Sequence, residues 1–303
     1  MLGNADPKAP NFFILGAAKS GTTTLYRLLS EHPQIFLTRQ KETYFFSDEQ
    51  YFSKGLAAYL RNHFNGAGGY PVRGEATANY FHSPDLVAPR LLAAFGPGLR
   101  FAVMLRDPVK RAWSHYLHMV RLSAENRPFE EAVRDIGGNI SRGWRDYFSD
   151  GLYARQLARW YGIFPRENFI FFLTTDLAED WERVARKAFS FLGVDPDVRI
   201  PQRLTRNVAG EVRYRWLARL LNDAPKWARR LRVAVPYHLR QQIRDVINLW
   251  NKRPLTENLI IDQETERFLR EQYAPDVVRL QDLIGRNLES WLPGSKSARR
   301  ESG

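Results

Sequence analysis

The 303-residue chain contains no cysteine, so structural disulfides, thiolate zinc sites and a cysteine nucleophile are all excluded. It has no run approaching the ~18 apolar residues of a membrane-spanning helix. No charged segment followed by an apolar stretch opens it, and a cytoplasmic location is the expectation. Acidic residues are scarce beside basic ones, 33 against 45, for a net charge of +12. Most of that surplus is local, because Arg203–Arg253 holds 13 Lys/Arg against 3 Asp/Glu. Such a block reads as a solvated helical face, as a wall that attracts an anionic donor or acceptor, or as a peripheral contact with an anionic membrane. Nucleic acid is not the expected partner, and the sequence is silent on oligomeric state.

What is present is a large core. The chain is 44% hydrophobic and 13% aromatic, ample for one packed domain. Residues 1–10 and 293–303 are small, polar or charged and read as disordered tails, leaving one domain over 11–292 with a basic helical subregion about 203–253. Short apolar runs at Asn11–Leu15, Phe101–Leu105 and Phe169–Leu173 predict buried strands. Between them, helical spacing links Leu25, Leu28 and Leu29, then Ala112–Val120, then Tyr153–Phe164; another such helix runs from Trp181 to Leu192. Strands alternating with helices predict a parallel sheet covered on both faces, a three-layer α/β fold of the P-loop-like kind. From Val212 to Leu292 the reading is mostly helical, with Pro225, Pro236, Pro254 and Pro275 as punctuation.

The first strand runs into Gly16-Ala17-Ala18-Lys19-Ser20-Gly21-Thr22-Thr23-Thr24. Small residues before a helix N-terminus let backbone N–H groups approach an anion, and Lys19 adds a mobile charge. The order is not that of a Walker A loop, where Gly-Lys-Ser/Thr closes the motif for a triphosphate and magnesium. The expected ligand is therefore a phosphate-bearing nucleotide without that unit, and no metal is expected. At the end of the second long strand stands Arg106-Asp107-Pro108, where Asp can cap a helix and Pro suits its first position. Arg106 lies where open α/β sheets bind ligands, and its planar fork suits a phosphate. Ser114 follows Arg111 and Lys110 at helical spacing, which predicts a shared face.

Lys19-Ser20-Gly21-Thr22-Thr23 after an apolar strand resembles the 5′-phosphosulfate loop of the sulfotransferases that use 3′-phosphoadenosine 5′-phosphosulfate. The segment Leu105–Tyr116 resembles that family's 3′-phosphate segment, and the likeness continues through Gly151-Leu152-Tyr153 to Tyr273 and Trp291. The resemblance implies that this nucleotide is the co-substrate. Lys19, Ser20, Gly21, Thr22, Thr23, Thr24, Arg106 and Ser114 would bind it, with Arg213 of Asn207–Arg213 as a weaker match.

Lys41-Glu42-Thr43-Tyr44-Phe45-Phe46 resembles the Lys-Glu-x-x-Phe-Phe stretch of the glycosaminoglycan-type branch. By that resemblance Glu42 is the base and Lys19 stabilises the leaving group. Tyr44, Phe45 and Phe46 are expected to line a partly dry pocket that raises a carboxylate's pKa. Gly74–Tyr80 resembles the family's Glu-Lys-Ser/Thr-Pro-x-Tyr segment, with Ala76 in place of Lys and Ala78 in place of Pro; Glu75 and Thr77 read either as acceptor contacts or as structural residues. The expected acceptor is a hydroxyl, less readily an amine, of a carbohydrate, glycolipid or other glycoconjugate. The competing readings are a P-loop nucleotide kinase-type phosphotransferase and a protein that binds polyanions or membrane surfaces.

Overall fold

The computed structural model describes residues 6–122, 124–134, 146–200, 210–212, 252–254 and 261–294. They divide into two compact units: Met1–Ala112, Phe148–Thr205 and Glu266–Gly303 form the first, and Trp113–Tyr147 with Arg206–Thr265 the second.

The first unit is built on a five-stranded parallel sheet. In chain order the strands are β1 (Phe12–Gly16), β2 (Ile35–Leu37), β3 (Val72–Ala76), β4 (Arg100–Leu105) and β5 (Phe169–Leu173), arranged β2-β3-β1-β4-β5. From β1 the chain turns towards β2 and β3, whereas from β4 it proceeds outward to β5. Connections that leave neighbouring strands in opposite directions open a crevice at their C-terminal ends, here between β1 and β4. The loop after β1 and Arg106 after β4 stand at its two sides.

Side chains alternate across the sheet and each face is roofed. Phe12, Ile14, Ala102 and Met104 face α1 (Thr22–Ser30) and α9 (Trp181–Leu192), meeting Leu25, Leu28, Leu29, Ala188 and Phe189. On the other face Phe13 meets Phe46 and Phe95, and Phe101 meets Trp160 and Phe164. Those rings come partly from α4 (Pro84–Phe95) and α7 (Tyr153–Tyr161). Burying a large apolar side chain contributes about 1.5–3 kcal/mol, so this double-sided core is what fixes the strand ends. Short helices α2 (Glu49–Phe52), α3 (Leu56–His63) and α8 (Thr174–Glu179) complete the connections.

The remaining helix of this region, α10 (Gln263–Ile284), runs through Pro275 without ending there. Buried Leu269, Tyr273, Val277 and Leu280 lie on both sides of the proline, and Asp276 accepts the amides of Ala154 (2.9 Å) and Arg155 (3.0 Å). Packing on either side outweighs the one backbone bond a proline forfeits. Asp6–Pro10, the end of the expected N-terminal tail, forms a turn: Arg73 Nε donates to Ala9 O at 2.7 Å and Pro10 is buried. Residues 1–5 and 295–303 of the expected tails lie outside the described residues.

In the second unit, the latter part of α5 (Pro108–Arg121) carries Trp113 and Tyr116, whose rings stack at 5.4 Å and meet Phe129 of α6 (Phe129–Arg134). Glu125 accepts from Arg127 and from the Tyr147 hydroxyl at 3.1 Å. Strands β6 (Gly210–Val212) and β7 (Lys252–Pro254) pair antiparallel, a two-stranded ribbon where a helical reading was expected. The rest of the basic stretch 203–253, with Pro225 and Pro236, lies outside the described residues.

Candidate active site

Asp107 caps α5 as expected, its Oδ1 accepting the amides of Val109 (2.9 Å) and Lys110 (3.2 Å). Its other oxygen lies 3.3 Å from Arg270 Nη2, and Arg270 Nη1 donates to Trp291 O at 3.1 Å. The end of β4 is thereby tied to the closing helix. Arg106 itself reaches back across the crevice, where Nη1 donates to Lys19 O at 3.4 Å. Its own carbonyl accepts from the Tyr153 hydroxyl at 3.0 Å. Burial lowers the Arg106 pKa, with the Tyr153 and Asp107 oxygens opposing, but an arginine starts so high that it stays charged.

The loop after β1 is shaped for close approach. Gly16 has φ 148°, and a Cβ there would stand 2.5 Å from Ala78 O and 2.8 Å from Phe81 Cβ. Lys19 sits in the left-handed region at φ 69°, a conformation that costs a non-glycine residue on the order of 1 kcal/mol. Gly21, also left-handed at φ 98°, caps α1 without a side-chain cap. The Ser20 carbonyl accepts from Thr174 Oγ1 at 2.9 Å, and the same hydroxyl lies 3.1 Å from Leu105 O. The first amides of α1 are those a helix leaves without intrahelical partners, and they carry its partial positive charge.

The expected donor-binding residues divide by burial. Ser20 and Thr22 are buried. Lys19, Gly21, Thr23 and Thr24 are half-buried and form the accessible part of the loop. Ser114 lies on α5, half-buried, in the second unit; Arg213 lies outside the described residues. Lys110, Arg111 and Ser114 all lie on α5 at the expected spacing, and they differ in burial. Lys110 is exposed, whereas Arg111 is fully buried with Nη1 3.7 Å from Asp150 Oδ2. Burial works against that charge, and Asp150 with the Tyr153 and Tyr273 hydroxyls outweighs it, leaving the pKa above the ordinary arginine value.

Glu42 stands on a turn between β2 and α2, at φ 62°. Its amide donates to Ala76 O at 2.8 Å, its Oε2 accepts the Ala78 amide at 2.9 Å, and its Oε1 pairs with Lys41 Nζ. Tyr44, the second left-handed residue of the turn, has its pKa pushed up to about 12, first by burial and then by the Glu42 and Tyr51 charges. Phe45 and Phe46 do not line a pocket. They are 5% and 0% exposed and pack into an aromatic cluster with Phe52, Tyr59 and Phe95.

Glu75 and Thr77, read as candidate acceptor contacts, are both fully buried. The Thr43 hydroxyl donates to Glu75 Oε2 at 2.6 Å, the Thr43 amide donates to Thr77 Oγ1 at 3.1 Å, and Phe45 N donates to Thr43 Oγ1 at 3.3 Å. The Phe46 amide completes the set on Tyr80 OH at 3.1 Å. Glu75 is thus the anchor of the turn that carries Glu42. Burial raises its pKa to about 7, against hydrogen bonds from Thr43, Tyr80 and Tyr59 and with the Glu42 charge adding to the rise. Sequence reasoning placed a partly dry pocket around Phe45 and Phe46, which instead pack into the core. It also missed His82, whose ring accepts from the loop amide of Ala18. Nothing local in Phe81-His82-Ser83 signals that contact.

A loop of small residues and a guanidinium meeting at the switch point of a three-layer parallel sheet define an α/β protein of the P-loop-like class. Within that class, residues 9–210 match the family model described as the sulfotransferase domain, and the chain belongs to that family. It is similar to the crystal structure of a sulfotransferase from Alicyclobacillus acidocaldarius, with a TM-score of 0.68 and 29% identity over 93% of this chain and 98% of that one. Among curated proteins it is 26% identical to carbohydrate sulfotransferase 15 of Homo sapiens, covering 62% of this chain and 44% of that protein. It is 30% identical to heparan sulfate glucosamine 3-O-sulfotransferase 6 of Homo sapiens, covering 61% and 52%. The chain therefore spans about half the length of these curated relatives.

Proposed function

We propose that the protein moves a sulfuryl group from 3′-phosphoadenosine 5′-phosphosulfate to a hydroxyl, less readily an amine, of a carbohydrate or glycoconjugate. The observation that carries the reading is the 3.4 Å approach of Arg106 Nη1 to Lys19 O, since the two candidate phosphate-binding segments then adjoin one crevice. In this reading the α1 N-terminus and Lys19 take the 5′-phosphosulfate and Arg106 takes the 3′-phosphate. The acceptor oxygen attacks sulfur while the bond from sulfur to the bridging phosphate oxygen breaks. Glu42 takes the acceptor proton, and Lys19 offsets the charge that grows on the departing phosphate. Lys41 beside Glu42 orients the base. The names of the curated relatives support a sugar-bearing acceptor.

The test is transfer of label from 35S-phosphosulfate donor to a panel containing heparan sulfate, chondroitin and small aryl alcohols, with and without EDTA. Label moving to a carbohydrate in the presence of the chelator is the expected result. Labelled phosphate transferred from ATP instead, and abolished by EDTA, would establish the kinase-type reading.

A further inference from the structure

Five residues, Ala78–His82, run between the Glu42 turn and the phosphate loop and are fastened to both. At one end the Ala78 amide donates to Glu42 Oε2 at 2.9 Å. At the other, the Phe81 amide donates to Leu15 O at 2.8 Å and the Ala18 amide donates to His82 Nε2 at 3.3 Å. Between these ends the segment lies against Gly16 so closely that no Cβ fits there. The ring of His82 is itself fixed. With Nε2 accepting, Nδ1 carries the proton and donates to Gln156 Oε1 at 2.8 Å, whose Nε2 donates to Ser149 O at 3.0 Å. Asp150 Oδ1 lies 3.9 Å from the same Nδ1 and favours that tautomer, and Arg111 stands beside the second Asp150 oxygen. Ala78 also occupies the position where the resembling motif has proline, which has no N–H; this chain has a donor there that the motif lacks.

We propose that Ala78–His82 is a positioning strap that sets the reactive geometry from both ends, with His82 fixing the donor loop and the Ala78 amide orienting Glu42. The inference rests on the donor-site reading above. By accepting the Ala18 amide, His82 holds the entry of the loop and leaves the later amides, at the start of α1, turned to the ligand. A ring without an acceptor at the Nε2 position cannot do this. Glutamine can, because its Oε1 reaches that position, whereas asparagine reaches only the position of Nδ1.

The experiment measures the affinity of 3′-phosphoadenosine 5′-phosphate by calorimetry for the wild-type chain and for His82→Phe, His82→Asn and His82→Gln. Phe and Asn should weaken binding about ten-fold, roughly one net hydrogen bond, while Gln stays within about three-fold. Asn and Gln differ by one methylene, so a difference between them is not a general loss of fold; thermal midpoints check this. Ala78→Pro should leave the nucleotide affinity within about three-fold while speeding amide-hydrogen exchange across Lys41–Ser47. Wild-type affinity in the Phe variant, equal losses in Gln and Phe, or unchanged exchange in Ala78→Pro would overturn the strap. A wild-type chain that fails to bind the nucleotide at all would instead overturn the donor-site reading.

Discussion

The loop after β1 and the turn that carries Glu42 lie on opposite sides of Ala78–His82, and they are built by different means. The phosphate loop takes its shape from its own small residues and left-handed Lys19 and Gly21, with two of its carbonyls and the Ala18 amide tied to the side chains of Thr174, Arg106 and His82. The Glu42 turn is held by hydroxyl side chains, with the amides of Thr43, Phe45 and Phe46 ending on Thr77, Thr43 and Tyr80 around buried Glu75. A grip on phosphate needs N–H groups, which the loop's own backbone supplies. Holding a carboxylate in one direction needs partners from more than 30 residues away.

The sharpest way to break this contrast is to remove one chemical group from each side. Glu42→Gln should bind 3′-phosphoadenosine 5′-phosphate within about three-fold of wild type yet transfer label about 10²–10⁴-fold more slowly, the range of a lost general base. Lys19→Ala should lose about 10²–10³-fold in transfer and also weaken the nucleotide, because the loop serves both binding and leaving-group charge. Single-turnover transfer beside calorimetry separates the two. If Glu42→Gln weakened the nucleotide as much as Lys19→Ala does, the two sides would not be functionally distinct.

A smaller effect tests the frame behind them. Gly151 packs against Tyr273, and a Cβ there would meet the ring at 2.7 Å, with Tyr273 stacked on Phe148 at 4.6 Å. Gly151→Ala must displace a fully buried aromatic, for a cost of about 1–3 kcal/mol in urea unfolding. Because Asp150 and Gln156 flank this contact, the nucleotide affinity should fall with it while exchange across Lys41–Ser47 stays at the wild-type rate. Loosening of both sides alike would remove the contrast.

The same contrast explains what could be read in advance. β1, β4 and β5 are continuous apolar runs because strands of a parallel sheet are buried on both faces, and the phosphate loop and Arg106 follow them directly. β3, Val-Arg-Gly-Glu-Ala, escaped notice because Arg73 and Glu75 interrupt its apolar pattern. Arg73 is spent on the Ala9 and Tyr70 carbonyls and Glu75 on hydroxyls far along the chain, and a sequence does not display such partners. Phe45 and Phe46 looked like pocket lining for the same reason: their neighbours Tyr59 and Phe95 come from later helices.

The smallest expected effect concerns the anchor on the Glu42 side. The Glu75 carboxyl has a folded pKa of about 7 where the ordinary value is 4.5, so the folded chain keeps a proton that the unfolded chain has already released between those values. Its stabilising contribution is complete below the unfolded value and is lost as pH rises through about 7. Glu75→Gln cannot ionise, so its urea midpoint should change less between pH 5.5 and pH 8.5 than that of wild type. The amide presents an NH2 where the carboxyl had a second acceptor, so exchange across Lys41–Ser47 should also rise. Equal pH slopes in the two chains would mean that Glu75 does not titrate in this range and that the Glu42 turn is anchored by the hydroxyls alone.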